Sequence, residues 1–250
     1  MPASLGNTAR DTEYARIFTM KKVAICSALA LSMASATASA ETSNKVSAPT
    51  IRTMTQAQAP TELNANTTAV LVIDFQNEYF TGSMPIPNGK QALGKAKQVV
   101  KFAYQNAMPV YFVRHLGSAA GPLFAEGSVN AEFHQDLQPL DIDFVINKAT
   151  PSSFVGTNLD QQLKEKGIKT LVITGLMTHM CVSSTARDAV PMGYDVIIAE
   201  DATATRDLAT WDGSIVDHAT LQRAAIAGVA DVFAEIKTTQ AVLNMPVVRL

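Results

Sequence analysis

Cysteine is almost missing from this chain: 250 residues contain two, Cys26 and Cys181. That excludes a small fold stapled by disulfides. An excess of positive charge is also missing, since 20 basic residues face 22 acidic ones, so no basic footprint for nucleic acid exists. Aromatic residues make up 6% of the chain. No apolar run approaches the roughly 20 residues that a permanent membrane-spanning helix needs. No Gly-x-Gly-x-x-Gly follows the first strand-like run and no Walker A sequence occurs, so nucleotide binding has no support. Heptads, repeats and low-complexity tracts are absent after about residue 60. What remains is a chain 47% hydrophobic, ordinary for a globular protein with a real core.

The N-terminus differs from the rest. Residues 20–40, MKKVAICSALALSMASATASA, set Lys21 and Lys22 before an apolar stretch and end on Ala38-Ser39-Ala40. This is the pattern of a secretory signal peptide cut after Ala40, which places the mature protein in the periplasm or outside the cell. The competing reading, a buried N-terminal helix, does not account for the Ala-x-Ala ending. Residues 1–19 read as an over-long start or an unusual charged region. Cys26 lies inside the apolar run rather than after it, a poor position for a lipid anchor. Cleavage removes it and leaves Cys181 as the single thiol. Residues 41–66 are polar and aperiodic, a linker or N-terminal arm. The folded domain is expected over 67–250.

Within that domain short β-branched runs recur: TAVLVIDF (68–75), PVYFVRH (109–115), DFVINK (143–148), TLVITG (170–175), DVIIAED (195–201) and ADVFAEI (230–236). Near-continuous apolar runs of this length suit strands of a parallel sheet buried on both faces. Helical patterns separate most of them. GKQALGKAKQVVKFAYQNA carries Leu93, Ala96, Val99, Val100 and Ala103 on one face, and NLDQQLKEKGI ends in Gly167, a C-cap signal. Asp212 or Ser214 is expected to cap the helix that leads to Gly228. The alternation predicts one three-layer α/β/α domain. Residues 116–142 form a loop too long for a plain connector, so it is expected to border a site.

Ligands of open parallel sheets bind beyond the carboxyl ends of the strands. Asp74, Lys148 and Cys181 fall at three such ends. Singly, each has an ordinary explanation: a turn cap, a solvated strand end, a small buried apolar residue. Together they make a coherent chemistry. A thiolate is the nucleophilic form of cysteine. Lys148 and the start of the helix through Ser183 and Thr185 are expected to favour it. Asp74 is placed to take the thiol proton and pass it to a leaving amine.

The stretches VLVIDFQNEYF, INKATPSSFVGTNLDQQL and LVITGLMTHMCVSSTARDAVPMGYDVIIAEDATA resemble the isochorismatase-like cysteine hydrolases, and the likeness covers nearly all of residues 68–236. The resemblance implies a Rossmann-like fold with a six-stranded parallel sheet in the order 3-2-1-4-5-6. It implies a catalytic triad of Asp74, Lys148 and Cys181, a cis peptide between Leu176 and Met177, and an oxyanion hole from the amides of Met177 and Cys181. It also implies a homo-oligomer, dimer or tetramer, and a small-molecule substrate. Gln76, Phe80, His115, Phe154, Thr178 and His179 are the candidate substrate-binding residues, and Phe124 a candidate for the apolar wall. The family's nicotinamidases hold a metal with an Asp-x-His pair and a further histidine. Here that region reads VRHLGSAAGPLF, and His134 stands alone, so no metal and no cofactor are expected. Hydrolysis of a small amide or related C–N bond through a thioester is the leading reading. Two alternatives stand beside it: vinyl ether hydrolysis of the isochorismatase type, with Asp74 as general acid, and a non-catalytic secreted binding protein or thiol sensor.

Overall fold

Residues Thr68–Ile73 (β1) are all buried, and their alternation explains how. Val70 and Val72 point into one apolar layer, while Ala69, Leu71 and Ile73 point into the other, as successive strand side chains must. A strand covered on both faces has no solvent-facing position, and each fully buried Leu, Val or Ile contributes about 1.5–3 kcal/mol. This strand lies at the heart of a six-stranded parallel sheet.

The computed structural model describes residues 48–249. The expected signal peptide with its cut after Ala40, Cys26 and residues 41–47 lie outside the described residues. The remaining strands are Val110–His115 (β2), Phe144–Lys148 (β3), Thr170–Leu176 (β4), Asp195–Ala204 (β5) and Glu235–Lys237 (β6). Their order is β3-β2-β1-β4-β5-β6, every pairing parallel. Gly89–Gln105 (α1) covers one face with Ala92, Leu93, Ala96, Val99, Val100 and Ala103. Leu159–Glu165 (α2), Ser183–Ala189 (α3) and His218–Ala230 (α4) cover the other, chiefly through Leu159, Leu163, Ala186, Ala189 and Val229. Among the described residues no helix is long and apolar enough to cross a membrane.

Several details depart from the sequence reading. β3 is an edge strand, with Val145 and Asn147 exposed and Ile146 and Lys148 buried, so its burial alternates instead of covering both faces. The last strand is not residues 230–236 but Glu235–Lys237, because α4 runs on to Ala230 and a turn follows. Neither Asp212 nor Ser214 caps α4. Asp217 does, accepting from the Thr220 amide at 2.9 Å. Asp212 instead accepts from the Ser214 amide and the Thr210 hydroxyl in the turn between two short antiparallel strands, Leu208–Ala209 and Ile215–Val216. The polar segment from residue 48 is docked: the Ile51 and Arg52 amides donate to Asp231, and Leu63–Asn64 pairs with Val247–Val248.

The strand order reverses between β1 and β4. In sheets of this kind the chain leaves neighbouring strands in opposite directions at that point, which opens a crevice at their carboxyl ends.

Candidate active site

At the end of β1 the chain adopts a left-handed conformation at Asp74, with φ of 54°, and the side chain turns into the interior. The Asp74 amide still donates to the Val113 carbonyl of β2, so the residue is held by the sheet. Lys148 closes the edge strand β3. Cys181 follows β4 across a cis peptide between Leu176 and Met177. It lies in a π-helical turn, Thr178–Val182, and α3 begins only at Ser183. The expected placement of the thiol as the first residue of an α-helix is therefore corrected: the π-turn holds it two residues ahead of α3.

The three groups meet in the dark of the fold, all of them buried. The Lys148 Nζ lies 2.7 Å from the Asp74 carboxylate, 3.3 Å from Cys181 Sγ and 3.3 Å from His115 Nδ1. An ammonium has three protons, and three acceptors surround this one. With the ammonium as donor, His115 accepts at Nδ1, so the proton of its neutral ring sits on Nε2. Burial and the Lys148 charge hold the His115 pKa below its ordinary value, which keeps the ring neutral. Burial opposes the charge of Lys148, but the Asp74 carboxylate beside it keeps its pKa raised.

The thiol behaves differently from the sequence expectation. Burial and the Asp74 carboxylate push the Cys181 pKa up to about 12, and the opposing pull of Lys148 does not offset them. At neutral pH Cys181 is a thiol.

Other predicted residues sort into two groups. His179 reaches the site region, its Nδ1 2.5 Å from the Thr205 hydroxyl, and burial with the Arg206 charge lowers its pKa. Thr178 is fully buried and its Oγ1 has no partner among the described residues. Phe154 packs in the same apolar layer as Cys181 and stacks on Tyr194 at 5.8 Å. Gln76 is spent on structure: its Nε2 donates to the carbonyls of His115 and Ala131, and its Oε1 accepts from the His115 amide. That leaves its amide no role as a substrate ligand, and it ties β2 to the long loop instead. Phe80 packs against His134, ring centroids 4.4 Å apart.

Some participants were not singled out in the sequence. Tyr79 is buried, packs edge-on to Phe124 at 5.1 Å, and burial with the Asp74 charge raises its pKa. Phe124 in turn lies 5.2 Å from the His115 ring. Ser153 and Thr185 join the segment after Lys148 to α3: the Ser153 amide donates to Thr185 Oγ1, which donates to Ser153 Oγ. A separate cleft of about 590 Å³, lined by Met108, Phe144 and Lys166 among others, opens at the amino-terminal edge of the sheet and holds none of these groups.

A buried carboxylate, amine and thiol at a switch point invite comparison with known proteins. The model of the isochorismatase domain matches residues 68–241. This chain belongs to the isochorismatase family. A family member from Bacillus subtilis, uncharacterized, is 39% identical over 181 residues, covering 71% of this chain and 99% of that one. A secreted isochorismatase effector of Verticillium dahliae is 36% identical, covering 72% and 93%. The crystal structure of an isochorismatase from Pseudomonas putida superposes with a TM-score of 0.73 at 32% identity, over 78% of this chain and 99% of that one. Isochorismatase-family relatives that are hydrolases of amides include nicotinamidase 3 of Arabidopsis thaliana, 31% identical over 57% of this chain and 75% of that protein. N-carbamoylsarcosine amidase from Thermoplasma acidophilum is a structural neighbour, with a TM-score of 0.60 at 27% identity over 69% and 96%. The family is one of hydrolases, and the six-stranded α/β/α architecture of this isochorismatase-family chain is that of its structural neighbours.

Proposed function

We propose that this isochorismatase-family chain hydrolyses a small amide or related C–N bond through a thioester on Cys181. The observation that carries the reading is the shared ammonium: Lys148 ion-pairs with Asp74 at 2.7 Å while donating to Cys181 Sγ at 3.3 Å. Because the resting sulfur is protonated, the proton leaves as the C–S bond forms, and Asp74 is the base that faces it. The amides of Met177 and Cys181 receive the tetrahedral oxyanion. Asp74 then gives the proton to the nitrogen as the C–N bond breaks and the amine departs. Water attacks the thioester, Asp74 takes its proton, and the sulfur recovers one as the carboxylic acid leaves. Lys148 stays charged throughout and stabilises negative charge on the sulfur and the carboxylate in turn.

The amide-hydrolysing relatives support the bond type. The Verticillium effector, secreted by name, supports export, which the pattern ending at Ala40 also predicts. The test combines turnover with mass spectrometry over a panel of primary amides and carbamoyl compounds. Cys181→Ala is expected to stay folded and lose at least about 1,000-fold in kcat. The wild type is expected to carry an acyl adduct on the Cys181 peptide. Full activity in Cys181→Ala refutes the covalent route.

A further inference from the structure

His115 closes β2 beside the end of β3, where its register partner is Lys148. Its main chain is held on both sides of the peptide. The His115 amide donates to Gln76 Oε1 and its carbonyl accepts from Gln76 Nε2, both at 2.8 Å, and Gln76 is fully buried. The next amide, that of Leu116, donates to the Lys148 carbonyl at 2.8 Å and ties the two strand ends together. The ring has a wall of its own. It packs 5.2 Å from the Phe124 ring, and the Phe124 amide donates to the buried Glu78 carboxylate at 3.3 Å. A ring fixed in this way presents Nδ1 at 3.3 Å from Lys148 Nζ.

The other attractions on that ammonium are unequal. Asp74 Oδ2 lies 2.7 Å away as an ion pair, and Cys181 Sγ lies 3.3 Å away. Asp74 Oδ1 is buried as well and makes no hydrogen bond among the described residues. A buried ammonium proton without an acceptor is costly, and a carboxylate oxygen with free lone pairs is the strongest acceptor in reach. Without His115 the third proton turns to Oδ1. That contact occupies the lone pair that receives the thiol proton, and it draws the ammonium away from the sulfur. His115 gives the proton another destination.

We propose that His115 is a positioning residue for the nucleophile. By accepting one proton of Lys148 at Nδ1, it holds the ammonium between Asp74 Oδ2 and Cys181 Sγ and keeps Asp74 Oδ1 free to take the thiol proton. The assignment rests on the thioester reading above for the reaction, and on the three distances around Nζ for the geometry. It replaces the substrate contact that the sequence suggested for His115 with a role that acts through Lys148. The clamp also reaches the long loop, since Gln76 Nε2 donates to the Ala131 carbonyl at 2.7 Å.

The experiment compares the wild type with two variants. His115→Leu has no acceptor, and His115→Asn carries an amide oxygen the same number of bonds from the main chain as Nδ1. The readouts are kcat and KM on the amide panel and the rate at which iodoacetamide labels Cys181 at pH 8. His115→Leu is expected to lose about 10-fold or more in kcat with KM little changed, and to label about 10-fold more slowly. His115→Asn is expected to recover most of both. Wild-type labelling in a folded His115→Leu protein overturns the assignment. So does equal loss in both variants, which marks a structural ring, and so does a loss confined to KM, which marks a substrate contact. If thermal melts show that His115→Leu does not fold, His115→Gln, with its oxygen one bond further out, takes its place in the comparison. If the wild type hydrolyses no amide, the proposed reaction fails, and the labelling rates then decide the positioning role by themselves.

Discussion

Replacing Asp74 by Asn should make Cys181 more reactive toward an alkylating agent while removing hydrolysis. The carboxylate is the largest electrostatic influence raising the thiol pKa, second only to burial, and Lys148 is the influence lowering it. With the carboxylate gone, the ammonium 3.3 Å from the sulfur has no competing anion. At an effective dielectric near 20 that separation corresponds to about 5 kcal/mol of attraction, an upper bound. Measured shifts from a charge this close run to about 1–3 pKa units, so a fall of about 2 units from the wild-type value is expected. Below both pKa values the thiolate fraction then rises about 100-fold. A less basic thiolate is a poorer nucleophile, and with a Brønsted slope of about 0.45 that removes about 8-fold. The net gain in the iodoacetamide rate at pH 8 is about 10-fold. Lys148→Met should move the other way, slowing alkylation below wild type. The assay is pseudo-first-order labelling of Cys181 from pH 6 to 10, with thermal melts to confirm that each variant is folded. An Asp74→Asn protein that labels no faster than wild type refutes the argument that the carboxylate keeps the thiol protonated.

Two further outcomes follow from the packing and the histidines. Gly175 has φ of 155°, and an added Cβ would lie 2.6 Å from Ile73 Cβ and 2.7 Å from the Ile73 carbonyl, directly before Asp74. Gly175→Ala should therefore cost about 3 kcal/mol in urea denaturation and lower kcat by displacing Asp74; a fully active variant with an unchanged midpoint rules out this tight contact. His115 and His179 both have folded pKa values lowered below the ordinary value near 6.5. The unfolded chain takes up their protons first, so the stability they contribute is full above about 6.5 and is lost as pH falls through the folded values. His115→Asn should flatten that acid limb in urea midpoints measured from pH 7.5 to 5, and a limb of unchanged slope removes His115 from the account.

Local composition revealed most of the sheet, because β1, β2, β4 and the first half of β5 are short β-branched runs buried on both faces. It misplaced β6 because the apolar run 230–236 continues the helix α4 before any strand begins, and the deciding cap at Asp217 looks no different in sequence from Asp212. The chemistry-bearing residues were legible by their position at strand ends, since topology carries Asp74, Lys148 and Cys181 to one edge. What sequence could not supply was the sign of the thiol's shift. Proximity to a lysine and to a helix start argues for a thiolate, while burial and an equally close carboxylate argue for a thiol, and only the distances decide between them.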